Sequence, residues 1–508
     1  MEEVPSRNVM KLTIEKLNEV NIRVYGDAGC EQELENFFTY EVPGARFTPK
    51  FKARLWDGKV RLYSLIKKTL YAGLYQYVLE FAQRNNYELT FNPTDDYPKP
   101  LDLQNYTTEQ VSKYIYDLDL YGRGQPIEPR DYQIEAVKTA LNLNRTVLLS
   151  PTASGKSFMI YCLMRWHLEE DRKTIIVVPT TSLVEQMYSD FEDYSTHNEW
   201  SVRDNCQKLY SGFTRDFTKN VLITTWQSIY TQPKQWFANF DVIVGDEAHQ
   251  FKATSLITIM ERMQHVKYRI GTTGTIDNKK INQLTLEGLF GPVHRVTTTK
   301  ELMESGKVVN IDINCILLKY ADEVRKACKE HTYQDEMQFL IANDARNKFI
   351  RNLAINCKGN TLVLFQFVEK HGIPLYEAIK AKAPDKNVYI VHGDVKTLDR
   401  EDIRKNTELD SNTIIVASYA TFSTGINIPS IENIIFASPT KSKIRNLQSI
   451  GRGLRLKDGK THLKLYDIAD DIQYKSRKNH TLNHFVERVK IYSEEKFDYK
   501  VHEVQLCT

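Results

Sequence analysis

Twelve residues, Thr146–Ser157, read TVLLSPTASGKS. A short β-branched and apolar run leads into a proline and small residues. Gly155-Lys156-Ser157 follows, and from Phe158 the chain is apolar and unpunctuated. Strand, small-residue loop and helix in that order turn backbone N–H groups and a helix N-terminus toward phosphate. On that reading Pro151, Thr152, Ala153, Ser154 and Gly155 form a cradle. Lys156 reaches β/γ-phosphate oxygens, and Ser157 offers its hydroxyl to Mg²⁺. The full pattern begins with glycine, and position 150 is Ser. An ordinary strand–turn–helix would look the same, so the rest of the chain has to decide.

A second constellation is Asp246-Glu247-Ala248-His249, directly after the apolar run Phe240–Gly245. An acid at the end of a buried strand beside a phosphate loop can hold Mg²⁺, and its neighbour can orient and activate a water. Gln133 opens a helix about 23 residues before Lys156; one amide can both donate to and accept from an adenine edge. Arg452 and Arg455 sit three apart in QSIGRGLR, and guanidinium groups bind phosphate oxygens bidentately.

The elements that must position these residues are legible as runs. Lys173–Pro179 (KTIIVVP), Val221–Thr225 (VLITT) and Tyr268–Thr275 (YRIGTTGT) read as further buried strands, each ending in hydroxyl residues. Such ends lie on the ligand-facing rim of a parallel sheet, where Thr180, Thr181 and Thr225 could hold a phosphodiester backbone. A second α/β unit begins near 309. Its strands are Thr361–Phe367, Val388–Gly393 and Thr413–Ala417, with Asp322–Asn356 a charged helical stretch.

SPTASGKS, VPTTSLVEQ, ITTWQS, DEAH, GTTGT and QSIGRGLR occur in this order over about 130–470. Together they resemble the motifs of superfamily 2 DExH-type helicases. The resemblance implies an ATP-hydrolysing DNA helicase built from two RecA-like parallel-sheet motor domains, with ATP and Mg²⁺ bound in the cleft between them. Glu247, Lys156, Arg452 and Arg455 would be catalytic. Gln133 and Gly425 would touch the nucleotide, and Ser157 and Asp246 the metal. His249, Thr272, Thr273, Thr275 and Gln448 would couple the two activities. His392 and Thr421 match elements that contact nucleic acid. Asn427 stands where the family's fifth motif usually has an acid. The whole chain is further similar to the UvsW-type phage DNA helicases. That likeness implies branch migration of Holliday junctions, fork regression and unwinding of R-loops or D-loops in recombination, repair and replication, in the host bacterial cytoplasm.

Outside the motor motifs, residues 1–95 read as a small α+β domain. Between Arg46 and Lys68 lie eight basic residues and one acid, Asp57, with aromatics among them. Arg46, Lys50, Lys52, Arg54, Trp56, Lys59 and Arg61 are therefore candidate nucleic-acid contacts. A solvated face around an aromatic core is the alternative reading. Residues 96–126, rich in proline with a short helical piece from Thr108, read as a linker. The first motor domain is expected at 127–308, the second at 309–470 and a helical tail at 471–508.

Net charge is only +3, so affinity for polyanions must come from local patches. Seven cysteines are scattered with no CxxC pair, which argues against structural zinc and a disulfide framework. No signal peptide or membrane span is legible. The expected partners are DNA, above all branched DNA and RNA–DNA hybrids, and a single-strand-binding protein, with the chain itself a monomer. Three other readings stay open: a DEAH-type RNA helicase, the motor subunit of a restriction system, and a strand-annealing protein with a vestigial ATPase.

Overall fold

The computed structural model describes residues 10–210, 217–276, 279–395, 397–425, 428, 430–439, 450, 451, 453, 460 and 462–506. Two compact units divide the chain. One holds the residues up to Ser150 together with Gly155–Val296; the other holds Pro151–Ser154 and Thr297 onward.

The first unit begins with a four-stranded sheet, in spatial order Thr69–Tyr71, Asn21–Gly26, Lys11–Lys16 and Glu88–Asn92. Neighbours are antiparallel except the last pair. Alternation places Leu12, Ile14, Ile22 and Val24 on one face, where Leu34 and Phe38, then Val78 and Phe81 of the helix Tyr75–Arg84, cover them. Leu284, from the domain that follows, belongs to the same core. The alternation expected over Lys59–Ile66 yields only a short strand, Lys59–Arg61, paired with Thr39–Glu41.

That next domain is a seven-stranded parallel sheet. Its order is Cys206–Leu209, Val221–Thr225, Thr174–Val178, Val242–Asp246, Tyr268–Thr273, Arg145–Leu149, Val293–Arg295. Near-continuous Val, Ile and Leu runs form these strands because helices bury both faces. The 96–126 stretch, expected as a linker, is packed rather than free. Its helix Thr108–Asp117, closed by a Thr107/Gln110 capping box, buries Val111 and Ile115 in the sheet's core. Proline content hid this, because the packing rests on a few scattered apolar positions, with Leu118 and Leu120 joining Val111 and Ile115.

The small domain docks firmly onto this sheet's base. Buried Arg145 donates to the carbonyls of Glu19, Leu289 and Phe290. Glu19 N–H donates to Gln264 O at 2.8 Å, and Tyr71 Oη to Glu261 at 2.8 Å. Gly73 lies so close to the helix Lys280–Leu289 that a Cβ there would sit 1.9 Å from Glu287 O. Burial lowers the Arg145 guanidinium to about 10, and burial together with Arg145 lowers Arg269 to about 9. Both stay charged at neutral pH, held by carbonyl oxygens.

The second unit is again a seven-stranded parallel sheet: Asn387–Val391, Thr413–Ser418, Asn360–Phe365, Ile431–Phe436, His462–Asp471, Asn310–Lys319, Tyr499–Gln505. Asp322–Asn356 is three helices rather than one, and Thr332 and Asn343 cap the second and third. The tail is more than helical. Helix His480–Glu494 buries Arg488 against Asp467 at 2.8 Å, and Tyr499–Gln505 completes the sheet as its edge. Nearly all of that last strand is exposed, so its sequence carries no alternation to read.

Candidate nucleotide site and its relatives

The strand Arg145–Leu149 ends at Ser150, and the helix Lys156–Glu169 starts six residues later. Gly155 precedes it at φ +88°, a region that costs other residues strain. A Cβ at Gly155 would also lie 2.3 Å from Gln133 Nε2, so glycine is required twice. The loop is closed by Ser154, whose hydroxyl donates to Pro151 O at 2.6 Å. Gln133 is thereby placed against the loop. Its Oε1 accepts the Arg130 N–H at 2.9 Å at the start of its own helix.

The register Asp246↔Thr272 brings the acid pair beside the Tyr268–Thr273 strand end. Thr272 Oγ1 donates to Asp246 Oδ1 at 2.8 Å. Burial, and then the neighbouring Glu247 charge, hold the Asp246 carboxyl above the usual range. Glu247 takes φ +52°, which turns the chain sharply after the strand. Its carboxylate is 3.9 Å from Lys156 Nζ and 3.2 Å from His249 Nδ1. The Thr273 hydroxyl donates to Thr275 O at 2.9 Å, so its oxygen accepts from His249 Nδ1, also at 2.9 Å. That assignment puts the imidazole proton on Nδ1. Lys156, Glu247, His249, Thr273 and Thr275 are thus one connected chain, and Asp246 with Thr272 a parallel one.

The remaining expected residues are more dispersed. Thr180 caps its helix by accepting from Leu183 N–H at 3.3 Å, and Thr181 is exposed. The Thr225 hydroxyl is buried against Ser228 at 3.0 Å, and Thr421 accepts from Ser418 at 2.8 Å. His392 Nδ1 lies 3.4 Å from Asp394. Gly425 ends the helix Tyr419–Gly425. Gln448, Arg452 and Arg455 lie outside the described residues. One contact was not legible in the sequence: Tyr194, the last residue of the helix Thr181–Tyr194, meets the Ser157 hydroxyl at 3.0 Å. Among the described residues no three His, Cys, Asp or Glu side chains form a metal cluster, and no helix is long and apolar enough to cross a membrane.

Comparison with known proteins bears on this geometry. Residues 11–92 match the family described as DNA helicase UvsW, N-terminal. Residues 126–278 match the family of the type III restriction enzyme res subunit, and 344–457 the helicase conserved C-terminal domain. Over 504 residues the chain is 33% identical to the ATP-dependent DNA helicase uvsW of Enterobacteria phage T4, covering 96% of this chain and 98% of that one. The chain belongs to the UvsW helicase family. The crystal structure of T4 UvsW covers 98% of this chain and 100% of its own, at 30% identity and a TM-score of 0.52. A more distant relative is the DNA 3'-5' translocase XPB2 of Sulfurisphaera tokodaii, 23% identical over 79% of this chain and 90% of its own. As a UvsW-family protein the chain is an ATP-hydrolysing DNA helicase with two RecA-like motor domains. The Lys156–Glu247–His249–Thr273 chain falls within residues 126–278, the segment that matches the res-subunit family.

Proposed function

We propose that this helicase acts on branched DNA, regressing forks, migrating Holliday junctions and unwinding D-loops or R-loops, with Mg²⁺·ATP as its fuel. The observation that carries the reading is the surface of the N-terminal domain. Arg46, Lys50, Lys52, Arg54, Lys59 and Arg61 are all exposed there, around Phe47 at 68% and Leu55 at 80% exposure. Large apolar side chains left in water among cations suit a junction, where phosphates surround unstacked bases. Trp56 is tied to Lys59 O at 2.8 Å and Arg61 to Asp57 and Glu35, so those two shape the patch. Because this domain shares a core and buried hydrogen bonds with the first motor domain, its grip would move with the nucleotide site.

At that site Lys156 would bind the β/γ oxygens and Glu247 would hold the attacking water. Arg452 and Arg455 would supply guanidinium groups to the γ-phosphate. The Ser157 hydroxyl and the Asp246 carboxylate are the hard oxygen donors that Mg²⁺ takes, and the buried Asp246 charge is what such a cation offsets. What the cation supplies is charge compensation on the phosphate oxygens. The His249–Thr273 bond would carry the state of Glu247 into the Thr272–Thr275 strand end. The family supports work on DNA in the host cytoplasm, alongside a single-strand-binding protein.

The test is ATPase stimulation by single-stranded DNA, duplex DNA, a four-way junction and RNA, in the wild type and in an Arg46/Lys50/Lys52/Arg54 to alanine variant. Deleting residues 1–95 would uncover the shared core, so point substitution is the cleaner probe. The junction should stimulate the wild type most. The variant should lose that preference and show a shallower salt dependence, by about one unit of log–log slope per phosphate contact removed. Stimulation strongest with RNA, or an unchanged variant, refutes the reading.

A further inference from the structure

We infer that Tyr194 is a positioning residue for Ser157, accepting the serine hydroxyl's hydrogen bond so that a serine lone pair faces a divalent cation. The inference rests on the nucleotide-site reading above and deepens it. A hydroxyl has one proton and two lone pairs. If a lone pair of Ser157 Oγ is to meet a cation, the proton must point to an acceptor elsewhere. The acceptor within reach is the Tyr194 phenol oxygen, at 3.0 Å.

The phenol is held in place from all sides. Its ring stands edge-on to Phe158 at 6.1 Å and to Tyr161 at 5.4 Å. Tyr161 is itself fixed by Ser195 at 2.6 Å and by Arg165 at 2.9 Å. Arg165 in turn lies over Trp200, 4.5 Å from its ring. The aromatic cluster is therefore a mount for the phenol, whose oxygen meets Ser157 at the start of the phosphate-loop helix. A phenol is protonated and neutral at neutral pH. A neutral phenol accepts the serine's hydrogen bond without competing for the cation, as a carboxylate in its place would. The same helix begins at Thr180 and Thr181, the hydroxyls read as backbone contacts, and ends at Tyr194. One rigid element thus links that rim to the serine.

The experiment is equilibrium binding of a fluorescent ATP analogue to the full chain, first in EDTA and then across a Mg²⁺ series, with no turnover required. Tyr194→Phe keeps the ring and removes only the hydroxyl. It should leave affinity in EDTA unchanged and raise half-saturating Mg²⁺ about two- to tenfold, the span expected for one lost hydrogen bond. Tyr161→Phe removes a hydroxyl from the mount without touching Ser157, and should shift half-saturating Mg²⁺ less than Tyr194→Phe does. Ser157→Ala should abolish most of the Mg²⁺ effect, and adding Tyr194→Phe to it should change nothing more. A Tyr194→Phe protein with wild-type Mg²⁺ dependence overturns the inference. So do equal shifts in both phenylalanine variants, which would mean general loosening, and a further loss in the double variant. Failure of the nucleotide-site reading has a separate signature: Lys156→Ala would bind the analogue as tightly as the wild type.

Discussion

At Asp246 the proposed metal-binding role would conflict with stability. Its carboxyl is buried beside Glu247 with one side-chain donor, Thr272, and its pKa is raised. An acid whose pKa is higher folded than unfolded contributes stability at low pH. That contribution is lost as pH rises from the ordinary aspartate value through the folded one. Burial and the Glu247 charge thus oppose ionisation of Asp246 in the folded protein, against the smaller help of Lys156 and Thr272. Asp246→Asn should raise Tm measured without nucleotide at pH 7.5 and abolish Mg²⁺-dependent ATP hydrolysis. A lower Tm would mean that the Thr272 contact outweighs the desolvation cost.

At the level of single elements, the tail determines whether the second sheet closes. Arg488 on the helix His480–Glu494 pairs with Asp467 in the middle of a sheet strand, and both are almost fully buried. Tyr492 adds a bond to the same carboxylate at 2.8 Å. At the helix N-terminus, buried Glu336 accepts from the backbone N–H groups of His480 and Thr481, at 2.8 and 2.7 Å. Removing one partner of a buried pair strands the other, at a cost of about 3–5 kcal/mol. Arg488→Ala should therefore lower the unfolding midpoint of the second unit and leave the first unit's transition in place, as read by calorimetry. A chain ending at 470 should lack that second transition.

Across the whole molecule, buried histidines set the acid limit of both units. Burial, with Arg172 nearby, lowers His167 to about 3; burial, with Arg346 nearby, lowers His371 to about 3. For a histidine depressed on folding, the unfolded chain binds the extra proton, so stability is intact above about 6.5 and lost as pH falls below it. Each residue should cost roughly 2 kcal/mol at pH 5 relative to pH 7, and calorimetric transitions of both units should move down together between those values. A first-unit transition that does not shift would remove His167 from this account. The docking of the N-terminal domain is likewise a whole-molecule property. Gly73→Val would drive a side chain into Glu287 O. It should undock that domain, open residues 93–107 to proteolysis and reduce junction-stimulated ATPase more than basal ATPase. Wild-type protease resistance would contradict the docking argument.

Much of this protein was legible from local pattern. Phosphate-loop chemistry needs contiguous residues at fixed offsets, so Gly155-Lys156-Ser157 and Asp246-Glu247 announce themselves along the chain. Buried parallel strands such as Thr174–Val178 and Val242–Asp246 do the same, because burial on both faces demands uninterrupted apolar runs. What stayed hidden depends on partners far apart in sequence. The edge strand Tyr499–Gln505 is exposed and owes its conformation to pairing with Asn310–Lys319. The packing of 96–126 rests on scattered side chains, Val111, Ile115, Leu118 and Leu120. Buried charges such as Arg145, Arg346 and Arg488 look like surface residues until their acceptors are known. Sequence alone thus determined the two motor sheets and the exposed basic run of the N-terminal domain, since each is written in consecutive residues. Only the tertiary structure decided that His249 bonds Thr273, that Tyr194 meets Ser157 and that the N-terminal domain is anchored to the first motor domain. Those contacts join residues 24, 37 and more than 100 positions apart, and no local pattern encodes which distant side chain completes a hydrogen bond.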